Sequence, residues 1–343
     1  SKDMGDTSDS PPSDDVVDRL ERGDIDAVTA SLDGLRSASA EDRTEAIRSL
    51  RRLAEEHPET FEPIVGALVP FLTDEERPVR LSTAKLFVAV ARATPAAALE
   101  ATEPLAARLA DDEEFYYVRA RSAEALGYLA GEAPEEVVSP DILADLRVGL
   151  QFDEPEVREK LAKALAHVAV ASPSRLSHHV PTLATHLDDD SEEIRYHLST
   201  ALVAVGCTDP DAVVDAIGEL SARLDDDSPY VRGRAAEALG LVARTDTSAT
   251  IPESKLAAVV KGADGDGDDE AFSAERARFA LGGIEGTESE AFDDEIGSLT
   301  AVRERTDEVL EAMRRSDKSV CPQCGLELPE GGPPMCPDCG APR

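Results

Sequence analysis

Apolar and small side chains recur along this chain three and four residues apart, the spacing that gathers them on one face of an α-helix. Ala84, Phe87 and Val90 make one such face, and Ala123, Leu126 and Leu129 the next. Leu161, Ala162, Leu165 and Val168 follow, then Leu198, Leu202 and Val205, and finally Ala235, Ala236, Leu239 and Val242. Each face opens just after an arginine, and Arg43, Arg80, Arg119, Arg158, Arg195 and Arg232 lie 37, 39, 39, 37 and 37 residues apart. A second apolar segment precedes each of the last five and ends in an acidic turn, as in LATHLDDDSEEIR and LSARLDDDSPYVR. The acids, with Pro78, Pro155 and Pro229, end one helix and start the next. The repeating unit is a helical hairpin. A period of this size predicts an all-α array in which each hairpin packs only on its neighbours.

The ends of the array are less regular. Residues 1–13, SKDMGDTSDSPPS, are too poor in apolar side chains to pack and read as a disordered tail, with a helix starting near Asp14. Val17, Leu20, Ile25, Val28, Leu32 and Leu35 give two short amphipathic segments that cap the array. Aligning Ala280, Leu281 and Gly282 on earlier Ala-Leu-Gly runs puts Ala274 where an arginine belongs, after an acidic insertion, GADGDGDDEA. Asp264, Asp266, Asp268 and Glu275 match the ligand spacing of a calcium loop, but Asp269 stands where that loop needs glycine, so a solvated insertion is expected. The solenoid is therefore set at 14–285. Residues 286–317 hold a linker and an amphipathic helix through Ile296, Leu299, Val302, Val309, Leu310 and Met313.

The period, the turn acid and the Val-Arg pairs resemble the HEAT repeat family, including its shorter-repeat branch first described in phycobilin lyases, over roughly residues 35–285. The resemblance implies a right-handed α-solenoid of about six or seven hairpins. It also implies a ladder of hydrogen bonds between neighbouring repeats, built from a turn Asp and the arginine six residues later. That maps onto Asp74 with Arg80, Asp189 with Arg195 and Asp226 with Arg232. Glu113 takes the acid's place before Arg119, and Phe152 takes it before Arg158, leaving Asp153 as a stand-in.

Charge narrows the partners. The chain carries 71 acidic and 35 basic residues, a net −36, and only seven of the cations are lysine. Such a field repels nucleic acid and anionic membranes and favours solubility. Few lysines among abundant carboxylates also resembles the proteins of salt-accumulating halophilic archaea, in which case the charge describes the solvent. No apolar run approaches the ~18 residues of a membrane span, and no basic-then-apolar signal segment opens the sequence, so a soluble cytoplasmic protein is expected.

The segment 318–343 carries different chemistry. Cys321 and Cys324 form one CxxC pair, and Cys336 and Cys339 a second. Two intervening residues let both thiolates of a pair face one ion from a tight turn, and four thiolates make a closed tetrahedral site suited to a single structural Zn²⁺. The segment resembles a short zinc ribbon. So small a module lacks a sufficient core and depends on its metal. It also has few cations and no aromatic for stacking, which argues for protein rather than nucleic-acid contact.

Positions two, five and nine after each arginine point away from the helix-packing face and are expected to line an exposed inner surface. They read Ser82, Lys85 and Ala89; Arg121, Glu124 and Tyr128; Lys160, Lys163 and His167; His197, Thr200 and Ala204; Arg234, Glu237 and Leu241. One reading is an ordinary exposed face with ion pairs across repeats. The other is a ridge for an acidic or phosphorylated protein partner, with Arg121, Tyr128, Lys160, Lys163, His167 and Arg234 as its contacts. Enzyme readings have little to rest on. No histidine is followed by Glu, unlike the iron-ligand pairs of the HEAT enzyme deoxyhypusine hydroxylase, and no nucleotide-binding loop or nucleophile motif occurs. The function expected is a non-enzymatic protein-interaction scaffold, docking partners on the solenoid with the ribbon as a second contact. The alternatives are a transcription- or translation-associated factor whose ribbon touches nucleic acid or polymerase, and a HEAT-type enzyme or lyase accessory.

Overall fold

The computed structural model describes residues 12–245, 248–263, 267–287 and 296–316, together with Cys321, Leu326, Leu328, Met335 and Cys336. Among them the structure is helical, without β-strands. The chain divides into two units, 1–149 and 150–343.

Unit 1 contains α1 (Pro12–Glu21), α2 (Ile25–Leu35), α3 (Ala40–Glu56), α4 (Val65–Leu68), α5 (Arg77–Ala93), α6 (Pro95–Ala98), α7 (Thr102–Ala110), α8 (Tyr116–Glu132), α9 (Pro134–Val137) and α10 (Pro140–Val148). Unit 2 contains α11 (Pro155–Ala171), α12 (Val180–Ala184), α13 (Glu192–Gly206), α14 (Pro210–Val213), α15 (Ile217–Arg223), α16 (Pro229–Ala243), α17 (Glu253–Gly262), α18 (Asp268–Glu285) and α19 (Leu299–Ser316). In unit 1 the long helices α3, α5 and α8 stack in order; in unit 2 α11, α13, α16 and α18 do the same.

Each long helix carries a ladder arginine in its first turns or, in α18, the register of one. An Xaa-Pro pair closes or closely follows five of them, α3, α5, α8, α11 and α13. His57, Thr94, Ala133, Ser172 and Asp209 each precede a proline and adopt nearly the same backbone, with φ between −134° and −148° and ψ between 60° and 75°. Proline's ring excludes the helical conformation from the residue before it, so the chain must leave the helix there. The prolines lie fifteen residues after Arg43, Arg80, Arg119, Arg158 and Arg195.

The first arm of each hairpin is less regular than the apolar period predicts. Residues 58–73 run as 3₁₀ turns, Pro58–Thr60, Glu62–Ile64 and Val69–Thr73, around the single turn of α4. Pro58, Pro63 and Pro70 each remove a backbone donor, and short 3₁₀ turns tolerate that loss better than a continuous α-helix. The long-helix faces named from the period are all buried. At the array's start Leu20, Val28, Leu32 and Leu35 are core, whereas Val17 and Ile25 are half-buried and Val16 takes the inward place. The first helix begins at Pro12, close to Asp14; residues 1–11 of the expected tail lie outside the described residues. So do Asp264 and Asp266, while Asp268, Asp269 and Glu270 make the first turn of α18.

Long helices α16 and α18 approach closely because Gly240 has no side chain. A Cβ there would sit 2.9 Å from the Ala280 Cα, inside van der Waals contact.

Candidate functional site

The ladder arginines do structural work, in two directions. One guanidinium nitrogen bonds the carbonyl six residues back: Arg80 to Asp74 at 2.8 Å, Arg158 to Phe152 at 2.9 Å and Arg195 to Asp189 at 2.9 Å. The other two reach the carboxylate of the following turn: Arg43 to Asp74, Arg158 to Asp189 and Arg195 to Asp226, with Nε distances of 2.8, 3.1 and 2.9 Å. The carboxylate of each turn Asp therefore receives the preceding repeat's arginine, not the one six residues after it. It also accepts from its own turn, as in Ser228 N–H to Asp226 Oδ1 at 3.0 Å. Arg80 uses Glu114 at 2.9 Å, and Arg232 uses Glu270 at 2.9 Å. Arg158 bonds the Asp153 carbonyl, so neither Phe152 nor Asp153 needs a carboxylate for that half of the rung. Arg119 bonds within its own turn, to the Leu109 carbonyl at 2.9 Å and Asp112 at 3.4 Å.

The inner face differs between the units. In unit 1 Arg121 pairs with Glu124 at 3.0 Å, and both Arg121 and Tyr128 are half-buried. In unit 2 the residues expected to face solvent are covered. Lys160 and Lys163 are each 7% exposed, His197, Arg234 and Arg276 1%, and Glu237 is fully buried. Amphipathic helix α19 packs on α11 and α13, which carry Lys160, Lys163 and His197, and its Val309 and Met313 reach Tyr230 and Val231 of α16 and Phe272 of α18. The expected exposed ridge is, in this unit, the floor of a filled groove, because the period marks which residues leave the helix-packing face but not what covers them.

Helix α19 is held by apolar and polar contacts together. Val309 and Met313 pack in one buried cluster with Tyr196, Tyr230, Val231 and Phe272. Arg314 makes two hydrogen bonds to Glu193, at 2.6 and 3.0 Å. The Tyr196 hydroxyl donates to the Thr306 carbonyl at 3.4 Å and accepts from Arg234 at 3.3 Å. Arg303 donates to the Val170 carbonyl at 3.4 Å, and His167 lies 3.9 Å from Asp307. Just before the helix, Gly297 adopts φ 75° and its N–H donates to Glu237 at 2.9 Å. That left-handed backbone favours glycine.

Beneath it lies a buried cluster of charge. Glu237 takes Arg234 at 2.8 Å and Arg276 at 3.0 Å, while the Phe272 ring lies under Arg276, 3.6 Å from its guanidinium carbon. Burial opposes the Glu237 carboxylate, and the two arginines outweigh it, holding its pKa below the usual range. Burial of His197, with Lys163, His167, Arg314 and Lys160 around it, drives its pKa well below normal, so the ring is neutral. Among the described residues neither ring nitrogen of His197 has a hydrogen-bond partner, nor does Arg234 Nε. Glu159 is pushed up to about 7, first by burial and then by the neighbouring Glu193. Sequence reasoning missed this cluster; the signal available was Glu237, an acid inside a row of cations.

Elsewhere, burial pushes the Cys207 thiol up to about 12, leaving it unreactive near neutral pH. His178, His179 and His186 lie on short turns of unit 2, and among the described residues no group of three or more His, Cys, Asp or Glu could hold a metal ion. Of the four cysteines of the two CxxC pairs, Cys324 and Cys339 lie outside the described residues. Cys321 and Cys336, one from each CxxC pair, share a buried cluster with Leu328, and the Cys321 N–H donates to the Leu326 carbonyl at 2.8 Å.

Comparisons with known proteins agree with this architecture. No curated protein matches the chain. Among solved structures it is similar to an engineered protein at 22% identity and a TM-score of 0.63, over 91% of this chain and 83% of that one. A second engineered protein is similar at 23% identity and a TM-score of 0.57, over 65% and 98%. A designed armadillo repeat protein, in complex with the peptide (KR)4, is similar at 20% identity and a TM-score of 0.51, over 62% and 98%. No described helix is long and apolar enough to cross a membrane. Residues 102–202 match the family model for HEAT repeats, and the chain has the fold of a helical-repeat solenoid.

Proposed function

We propose that this protein is a non-enzymatic scaffold that docks protein partners on its solenoid, with a C-terminal zinc ribbon as a second contact. The observation that carries the reading is that the inner face of unit 2 already holds an amphipathic helix, by an apolar cluster flanked with ion pairs. Helix-in-groove recognition uses that combination of anchors. Support also comes from the armadillo design, whose likeness lies in fold and which was solved with a peptide bound. Acidic or phosphorylated segments suit the cations of this face, and the net charge of −36 disfavours nucleic acid. Two linked weak contacts raise avidity without new chemistry.

Cys321, Cys324, Cys336 and Cys339 would hold one structural Zn²⁺. The burial of Cys321 and Cys336 in one cluster, and the bond from the Cys321 N–H to the Leu326 carbonyl, suit a tetrathiolate site. The soluble, cytoplasmic and halophilic readings of the sequence belong to this same proposal.

The test is affinity capture with the full chain across a salt series, beside metal analysis. Partner binding that persists in molar salt, and about one zinc per chain lost in Cys321→Ser, are expected. Binding through a nucleic-acid backbone would instead weaken steeply and linearly in log salt. That outcome, or a chain isolated without zinc, would refute the corresponding half of the reading.

A further inference from the structure

Helix α19 fills the groove of unit 2 without satisfying its floor. Apolar contacts are complete: Val302, Val309, Leu310 and Met313 are all buried. At the polar contacts the seat is imperfect. Among the described residues His197, 1% exposed, has two ring nitrogens without a hydrogen-bond partner, and Arg234, also 1% exposed, has one such nitrogen, Nε. A buried donor or acceptor left unpaired costs more than a hydrogen bond gains, so such atoms on a groove floor mark an occupant better matched than the present one.

Charge gives the chemistry of that occupant. The floor presents Lys160, Lys163, Arg234 and Arg276 against Glu193 and Glu237, with Glu159 held partly protonated by its pKa of about 7. It is therefore cationic within a chain of net −36. Helix α19 answers it with Asp307 at the edge, 3.9 Å from His167 and largely solvent-exposed, and brings a further cation, Arg314, to Glu193. Against Tyr196 it places Thr306, whose hydroxyl donates to its own helix, at the Val302 carbonyl, and whose carbonyl accepts from Tyr196. The relay from Arg234 through Tyr196 thus ends on a backbone atom, which any helix supplies.

We propose that the inner face of unit 2 is a helix-binding groove that α19 occludes in cis, and that its partner is an amphipathic helix carrying a carboxylate where α19 carries Thr306. The carboxylate would meet His197 and Arg234, and an arginine two turns on would take the place of Arg314 on Glu193. A carboxylate there would oppose the burial and the surrounding cations that now keep the ring neutral. This rests on the scaffold reading above and adds the partner's chemistry and the displacement that must precede its binding.

The experiment uses the full chain and two synthetic peptides, residues 296–316 as they stand and the same peptide with Thr306→Glu. In the chain, Val309→Asp with Met313→Asp releases α19; a milder Arg314→Glu variant serves if the double variant loses helicity by circular dichroism. By fluorescence anisotropy the released chain should bind both peptides, and the wild-type chain only weakly. The Thr306→Glu peptide should bind about tenfold more tightly, the scale of one charge-assisted hydrogen bond in a dry site. His197→Ala should remove that preference. Equal affinities would overturn the carboxylate partner while leaving helix docking intact. Tighter binding of the unchanged peptide would make α19 of a second copy the occupant and overturn it too. A helical, released chain that binds neither peptide would overturn the groove itself.

Discussion

At the scale of single residues, the ladder shows how far spacing alone can be trusted. The arginines were legible because they repeat, and so were the turn acids. The pairing between them was not. In an array with a period of 37, a residue six before one arginine is also 31 after the previous one, and the separation of Arg195 from Asp226 is 31. Only the structure separates the local carbonyl bond from the carboxylate bond to the next turn. Asp226 serves Arg195, Arg223 and the Ser228 amide at once. Asp226→Ala should therefore destabilise unit 2 by about 3 kcal/mol in denaturant unfolding, since it strands two guanidiniums at a mostly buried site. A loss below about 0.5 kcal/mol, the scale of exposed pairs, would contradict that role.

The charges under α19 make a second residue-scale prediction. Glu159 titrates near 7 in the folded chain and near 4.5 when unfolded, so between those values the folded state binds more protons. Its contribution is most favourable below the unfolded value and is lost as pH rises through about 7. Glu159→Gln should flatten that decline, seen as a stability gain over wild type that grows from acid to neutral pH. A difference that is constant with pH would contradict the raised pKa.

At the scale of elements, the long helices were legible and the first arms were not. Apolar period sees which residues share a face, whereas Pro58, Pro63 and Pro70 decide that the arm runs as broken turns. The stop signal was also in plain view, a proline fifteen residues after each of five arginines. Helix α19 was legible as an amphipathic helix, but its seat was not. The polar positions it covers, Lys160, His197 and Arg234, carry the residue types that periodicity assigns to solvent. The approach of α16 to α18 makes its own prediction. Gly240→Ala should cost about 1–3 kcal/mol, because the added methyl meets the Phe279 ring at 2.6 Å and, behind it, the Ala280 backbone at 2.9 Å, which cannot turn aside. Thermal unfolding of the variant at unchanged Tm would contradict so close an approach.

At the scale of the whole molecule, two features act on each other. A net charge of −36 opposes compaction, and salt relieves it, since the screening length falls to roughly 3 Å at 1 M. The buried rungs and the α19 cluster are shielded from that screening. Raising salt to molar levels should therefore raise Tm, and a monotonic fall would show that exposed ion pairs dominate stability instead. The same logic bears on partners: docking built on apolar burial survives salt, while attraction between exposed charges fades. The most direct measurement of the central claim is hydrogen exchange on the full chain with and without a captured partner. If partners dock on the inner face of unit 2, amides of α19 lose protection on binding while those of α11 and α13 keep or gain it. Protection of α19 that stays unchanged, with new protection confined to the first arms, would place the partner elsewhere and contradict the account.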